Sequence, residues 1–128
     1  MNDLVTTTQP EGLGVNTWIA DNRPLLWISP DTGMVVFGSC PRMVCNDGFS
    51  MSVQADAFLM CSPRGDAIPY SAVEVGLPSE VVPELLPYAS KPDDPTQSVY
   101  GFVPVGIVEA VIRRHGGLIK SVVVDGWE

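Results

Sequence analysis

Hydrophobic positions along this chain come in short runs broken by proline, glycine and acidic turn formers, which predicts short strands more than long helices. Leu13 to Ala20 and Leu25 to Ile28 are apolar runs separated by Asp21-Asn22-Arg23-Pro24, a cluster that reads as strand-turn-strand. Ser29-Pro30-Asp31-Thr32-Gly33 is a second turn. Met34-Val35-Val36-Phe37 reads as a third strand ending at Gly38, so the first third of the chain is expected to form a meander. After the turn signal Asn46-Asp47-Gly48-Phe49, Met51, Val53 and Ala55 alternate with Ser50, Ser52 and Gln54, the period of a half-buried strand. Val73 and Val75 alternate likewise within Ser71 to Gly76, beyond the loop Cys61-Ser62-Pro63-Arg64-Gly65-Asp66. Two adjacent antiparallel strands are the economical arrangement.

Helical periodicity is confined to the second half. Ser79-Glu80 opens a short helix near residues 79–86, which Pro83 and Pro87 keep to one or two turns. Lys91-Pro92-Asp93-Asp94-Pro95-Thr96-Gln97 reads as a solvated loop. From Pro104 to His115, Val105, Val108, Val111 and Ile112 share one face and Pro104 suits the first helical position. Gly116-Gly117 ends that helix, with Arg113, Arg114 and His115 complementing its dipole. Leu118 to Val124 then reads as a closing strand, and Asp125-Gly126-Trp127-Glu128 as an exposed or interface-forming end. The expected fold is α+β: an antiparallel sheet of about five to seven short strands, one C-terminal helix and one short helix. A single domain over 13–128 follows a flexible tail over 1–12.

Composition agrees with a folded domain: 128 residues, 45% hydrophobic and 17% charged, suffice for one core. The formal charge of −8 narrows the partners, because it repels a phosphate backbone and makes direct nucleic-acid binding unfavourable. In residues 99–128 the acids Glu109, Asp125 and Glu128 are balanced by Arg113, Arg114 and Lys120, so the whole excess lies on residues 1–98. No basic leader opens the chain and no apolar run approaches the ~20 residues that span a bilayer. Three cysteines, Cys40, Cys45 and Cys61, leave at least one thiol unpaired, which suits a reducing, cytoplasmic setting.

Candidate chemistry is sparse. His115 is the single histidine, so every catalytic dyad, with Cys45 or Cys61 as nucleophile, has to pass through one residue at a helix end that serves equally well as a cap. Cys40 and Cys45 lack zinc-knuckle spacing, Asp93-Asp94 lacks a calcium-loop pattern and no phosphate loop follows Gly12 and Gly14, so neither metal nor cofactor is expected. The stretch that most suggests binding is Ser62-Pro63-Arg64. Arg64 either pairs with Asp66 or Glu74 to fix the hairpin, or presents its planar fork to a carboxylate or phosphate, with Ser62 adding a donor. Gln54, on the preceding strand, and the tyrosines Tyr70 and Tyr100 complete the candidate set. The proline-flanked cluster Tyr70, Tyr88, Tyr100 and Phe102 supplies either core lining or amphipathic interface area.

The strings Gly48-Phe49-Ser50-Met51-Ser52-Val53-Gln54-Ala55, Cys61-Ser62-Pro63-Arg64, Val73-Glu74-Val75-Gly76-Leu77-Pro78-Ser79, Val99-Tyr100-Gly101-Phe102-Val103-Pro104 and His115-Gly116-Gly117 resemble small uncharacterised bacteriophage and prophage proteins. The resemblance covers roughly residues 46–118. An aromatic is expected before the cysteine in such sequences, where this chain has Leu59-Met60. It implies a phage accessory protein acting by stoichiometric binding in the host cytoplasm. Such a protein blocks a host defence complex, for example a CRISPR effector, through its acidic surface, or sequesters an anionic nucleotide signal. The expected partner is therefore a host protein or protein–nucleic acid complex, or an anionic small molecule, with no membrane and with a homo-oligomer admitted. A structural or assembly part of a phage particle is the alternative, and a Cys/His enzyme a remote one.

Overall fold

A computed structural model describes residues 13–66 and 68–119. The tail expected over 1–12 and most of the closing strand and end expected over 118–128 lie outside the described residues. The described part has an α+β architecture, with two antiparallel sheets, two α-helices and two short 3-10 turns.

The first run forms helix α1 (Leu13–Asn22), which overturns the strand expected there. Val15, Asn16 and Ile19 are buried and Trp18 packs beside them, a stripe at spacings of three and four that a strand would split between two faces. Two tertiary bonds also hold this helix. The backbone N–H of Val15 donates to Glu109 Oε2 at 2.7 Å, satisfying an N-terminal donor with a carboxylate. Asn16 donates from Nδ2 to the Tyr70 carbonyl at 3.1 Å and accepts the Tyr70 N–H on Oδ1 at 2.6 Å. Pro24 then breaks the helix.

Strands β1 (Leu25–Ile28) and β2 (Val35–Phe37) form a two-stranded hairpin of their own. The expected turn closes it: Ser29 Oγ accepts the N–H groups of Asp31 and Thr32, and Gly33 supplies a φ of 75°. This hairpin does not join the main sheet, so the meander expected for the first third is instead a helix followed by an independent arm.

The main sheet runs β3 (Met43–Val44), β4 (Ser50–Gln54), β5 (Ala72–Gly76) and β6 (Val99–Pro104), each antiparallel to its neighbour. Met51 and Val53 of β4 are buried and its polar residues half-buried, as the alternation requires. Central β5 sets Val53 against Val75 and, on its other side, Val73 against Val103. Strand β6 has no clear strand signature, because Gly101 interrupts it. Met60 packs closely over that glycine, and a Cβ there would lie 2.7 Å from Met60 Sδ, so a larger residue needs the methionine side chain to shift.

The short helix expected near 79–86 is a 3-10 segment at Pro83–Tyr88, started by the proline that was expected to limit it. Helix α2 (Val105–Arg114) leaves β6 directly, with Pro104 at the N-cap. Val108 and Val111 are fully buried, and Val105 and Ile112 pack partly buried against the same core. Gly116 and Gly117, both at positive φ, end the helix, the Gly117 N–H returning to the Ile112 carbonyl at 2.9 Å. Leu118 then bridges Cys45 and the Ile119 N–H reaches the Val44 carbonyl at 2.9 Å, where the closing strand was expected to begin. Val15 and Ile19 from α1, Val108 and Val111 from α2, and the sheet valines make one core.

Candidate functional site

Most of the sequence-predicted binding residues are committed to the interior. Gln54 reaches across to the chain leaving the arm: its Oε1 accepts the Cys40 N–H at 2.7 Å and its Nε2 donates to the Cys40 carbonyl at 2.9 Å. A side-chain amide here completes the hydrogen bonding of a chain segment that has no strand partner. Tyr70 and Tyr100 are buried, with hydroxyls donating to the carbonyls of Gly65 at 2.6 Å and Pro95 at 2.5 Å. Burial pushes both phenols up from their ordinary value. Ser62 contributes backbone, exchanging both bonds with Ala72, and precedes a cis Pro63.

Ser62 and Arg64 stay on the surface. The pairing with Asp66 or Glu74 does not form: Asp66 Oδ1 accepts the Ala57 N–H at 3.3 Å and Glu74 Oε1 the Met60 N–H at 3.1 Å. The Arg64 guanidinium lies 6.0 Å from the ring of Phe102, itself 45% exposed and held at a φ of 54°. Its fork has no carboxylate beside it among the described residues.

His115 caps α2, as its position suggested. Its Nδ1 meets Asp47 Oδ2 at 2.7 Å, its ring stacks on Phe49 at 4.1 Å between centroids, and Nε2 is buried without a hydrogen-bond partner among the described residues. The Phe49 N–H, and after it His115, hold the Asp47 carboxyl below its ordinary value. No hydrogen bond joins His115 to a thiol among the described residues, and the Cys61 Sγ donates to the Asp56 carbonyl at 3.1 Å. Burial raises the Cys45 and Cys61 thiols above their ordinary value, away from the nucleophilic thiolate.

The chain matches no family model, no curated protein and no solved structure.

Two features that sequence reasoning passed over dominate the surface. The first is Arg23, read only as part of a turn. Its Nη1 donates to the Ala55 carbonyl and the Tyr70 hydroxyl, both at 2.7 Å, its Nη2 to the Asp66 carbonyl at 2.7 Å, and its guanidinium lies 3.9 Å from the Phe37 ring centre. One side chain thus ties the end of α1, strand β2 and the loop after β4 together. An open cleft of about 400 Å³ beside it is lined by Asp21, Asn22, Pro24, Ser39 and Pro41. A smaller one of about 150 Å³, between α1 and α2, is lined by Met43, Ile112 and Leu118 with Glu109 and Arg113.

The second is the arm. Leu25, Leu26, Trp27 and Ile28 are each more than half exposed, and Met34 beyond the turn is 54% exposed. A half-buried strand would alternate; β1 does not, so side chains on both of its faces meet solvent. An unbroken run Leu-Leu-Trp-Ile was the available signal, and it reads equally as a buried strand.

Proposed function

We propose that this chain is a bacteriophage accessory protein that acts by stoichiometric binding and without turnover. Its target would be a host protein or protein–nucleic acid complex in the host cytoplasm, such as a defence effector with a basic nucleic-acid channel. The observation that carries this reading is the acidic surface. Asp21, Asp31, Asp93 and Asp94 are exposed and carry no ion-pair partner among the described residues, and only Glu84 is held by an arginine, Arg114 at 2.8 Å. Unpaired carboxylates on a chain of charge −8 project a field that speeds encounter with a basic surface and repels nucleic acid itself. The raised thiols and the engagement of His115 with Asp47 support action without turnover. The phage source and the counter-defence role rest on the resemblance over residues 46–118. No helix among the described residues is long and apolar enough to cross a membrane.

The test is binding to a purified RNA-guided effector with a basic channel, measured by competition with its nucleic acid as salt rises. Affinity is expected to fall steeply with salt, and the double change Asp93→Lys with Asp94→Lys to weaken it about tenfold. Absent competition, or affinity indifferent to salt and charge reversal, would overturn the reading.

A second reading has one observation in its favour, the fork of Arg64 beside Phe102, which meets no carboxylate among the described residues. Such a pair suits an anion carrying a planar ring, as a nucleotide signal does. A panel of nucleotide second messengers that leaves the thermal midpoint unmoved would dispose of it.

A further inference from the structure

We propose that the protein forms a symmetric dimer through the β1–β2 arm, the apolar side chains of Leu25 to Ile28 and Met34 packing against the same side chains of a second copy. The first argument is area. These five side chains, each more than half exposed, together open on the order of 600 Å² over the two faces of the arm, the size of the largest apolar patch on a typical monomer. One face of each arm supplies about half of that, so two arms packed face to face bury on the order of 600 Å², the size of a weak contact that dissociates on dilution.

The second argument is charge. Between Pro24 and Pro41 the only charged residue is Asp31, at the turn, on a molecule of net charge −8. A basic partner would be met best by the carboxylates, and it gains little from a neutral face. A second acidic copy, in contrast, can approach only where neither copy has to desolvate or oppose a carboxylate, and the arm is such a place. A face that meets itself about a twofold axis needs no complementary charge, only matching shape and low polarity.

The third argument is that the arm is mounted rigidly. Arg23 clamps Phe37 and the end of α1, while Gln54 holds Cys40 on the chain leaving the arm, so both ends of the arm are fixed to the body. Little ordering entropy then remains to be lost on association. Contact is by side chains and not by adding strand to strand. The pairing of β1 with β2 shifts register between Leu25 and Trp27, leaving Leu26, the most exposed of the set at 64%, as a bulge that interrupts a continuous edge. The dimer would present two acidic bodies at once, which raises avidity for a target offering two basic sites.

Sedimentation equilibrium of the full chain tests this, with the wild type compared to the double change Leu26→Glu with Trp27→Glu. The expected result is a wild-type dimer that dissociates on dilution and a monomeric variant with the same far-UV circular dichroism. Should that variant unfold, Leu25→Gln with Ile28→Gln takes its place under the same expectation. Salt separates this contact from capture of a basic target. Screening two acidic bodies should tighten the dimer as salt rises, whereas charge-driven target binding weakens. A wild type that stays monomeric at hundreds of micromolar overturns the proposal, and so does a dimer that survives in a folded arm variant. Neither result bears on the salt-dependent target binding proposed above.

Discussion

Strands β1 and β5 are both apolar runs, yet one is open on both faces and the other closed on both. In β5, Ala72, Val73, Val75 and Gly76 are buried, with β4 and β6 on its two edges and α1 and α2 supplying Val15, Ile19, Val108 and Val111 to the same core. In β1, Leu25, Leu26, Trp27 and Ile28 have one neighbouring strand and no covering layer among the described residues. Both runs form strands, so apolar character alone does not separate an open strand from a closed one. Whether the strand is buried depends on what the rest of the chain can bring over it, and among the described residues nothing is brought over this arm. The body is thus built by its own packing, and the arm is held at its base.

The largest effect that separates the two regions is a pair of aromatic truncations. Tyr100, fully buried with its hydroxyl on the Pro95 carbonyl, should lose about 3–5 kcal/mol of stability as Tyr100→Ala. Trp27→Ala, which removes a larger side chain, should stay within about 0.5 kcal/mol. Urea denaturation at a concentration low enough to keep the chain monomeric measures both. A comparable cost for Trp27 would mean that the arm is covered in the monomer, and the distinction between the two regions would fail.

Next in size is the mounting of the arm. Arg23→Ala removes donors from the Ala55 and Asp66 carbonyls and the Tyr70 hydroxyl, together with the stack on Phe37, for an expected loss of about 2 kcal/mol. Arg23→Lys should not restore it, because an ammonium cannot span three acceptors and a ring at once. Amide hydrogen exchange in β1 and β2 should quicken more than exchange in β5. Equal quickening in both would show that Arg23 supports the body as a whole and does not hold the arm in particular.

Much of the body was legible in the sequence. Alternation located β4 and β5, the valine stripe and the Pro and Gly-Gly punctuation located α2, and Gly48 and Gly33 marked turns that do use positive φ. What was not legible was decided by tertiary contact. The helix α1 has a weak apolar stripe and is secured by Glu109 and by the Tyr70 backbone, partners 94 and 54 residues away. Met60 comes down on the glycine of strand β6, a contact with no local trace. The candidate binding set fared in the same way. Gln54 and Tyr70 have the polar tips that ligand contacts use, but those tips are spent on Cys40 and Gly65, and the chain gives no sign of that in advance. Arg23 went unnoticed because a turn with an arginine in it is ordinary until the carbonyls it reaches are known.

A smaller effect isolates the other end of the arm. Gln54→Ala leaves the Cys40 N–H and carbonyl without their side-chain partner, and a loss of about 1 kcal/mol is expected. Combined with Arg23→Ala, the two changes should cost more than their sum if both fix one rigid element, since each alone leaves the other anchor in place. Strict additivity in the double-mutant cycle would mean that the two ends of the arm are held independently.

The smallest expected effect is confined to acid pH and contrasts the turns of the two regions. Asp47, in the turn between β3 and β4, accepts the Phe49 N–H at 2.9 Å and meets His115 at 2.7 Å, and these contacts favour its carboxylate. Its folded value therefore lies below the unfolded value of about 3.9, so its contribution is present above that pH and disappears as pH falls through the folded value. Asp31, in the arm's turn, has no such partner among the described residues. Asp47→Asn should lower the urea midpoint at neutral pH, with the gap to wild type closing as the solution is acidified through pH 4 and below. Asp31→Asn should leave the midpoint in place across the same range. A gap for Asp47→Asn that stays constant down to the lowest pH would assign its cost to lost shape and not to charge, and the electrostatic tie between this turn and the end of α2 would have to be abandoned.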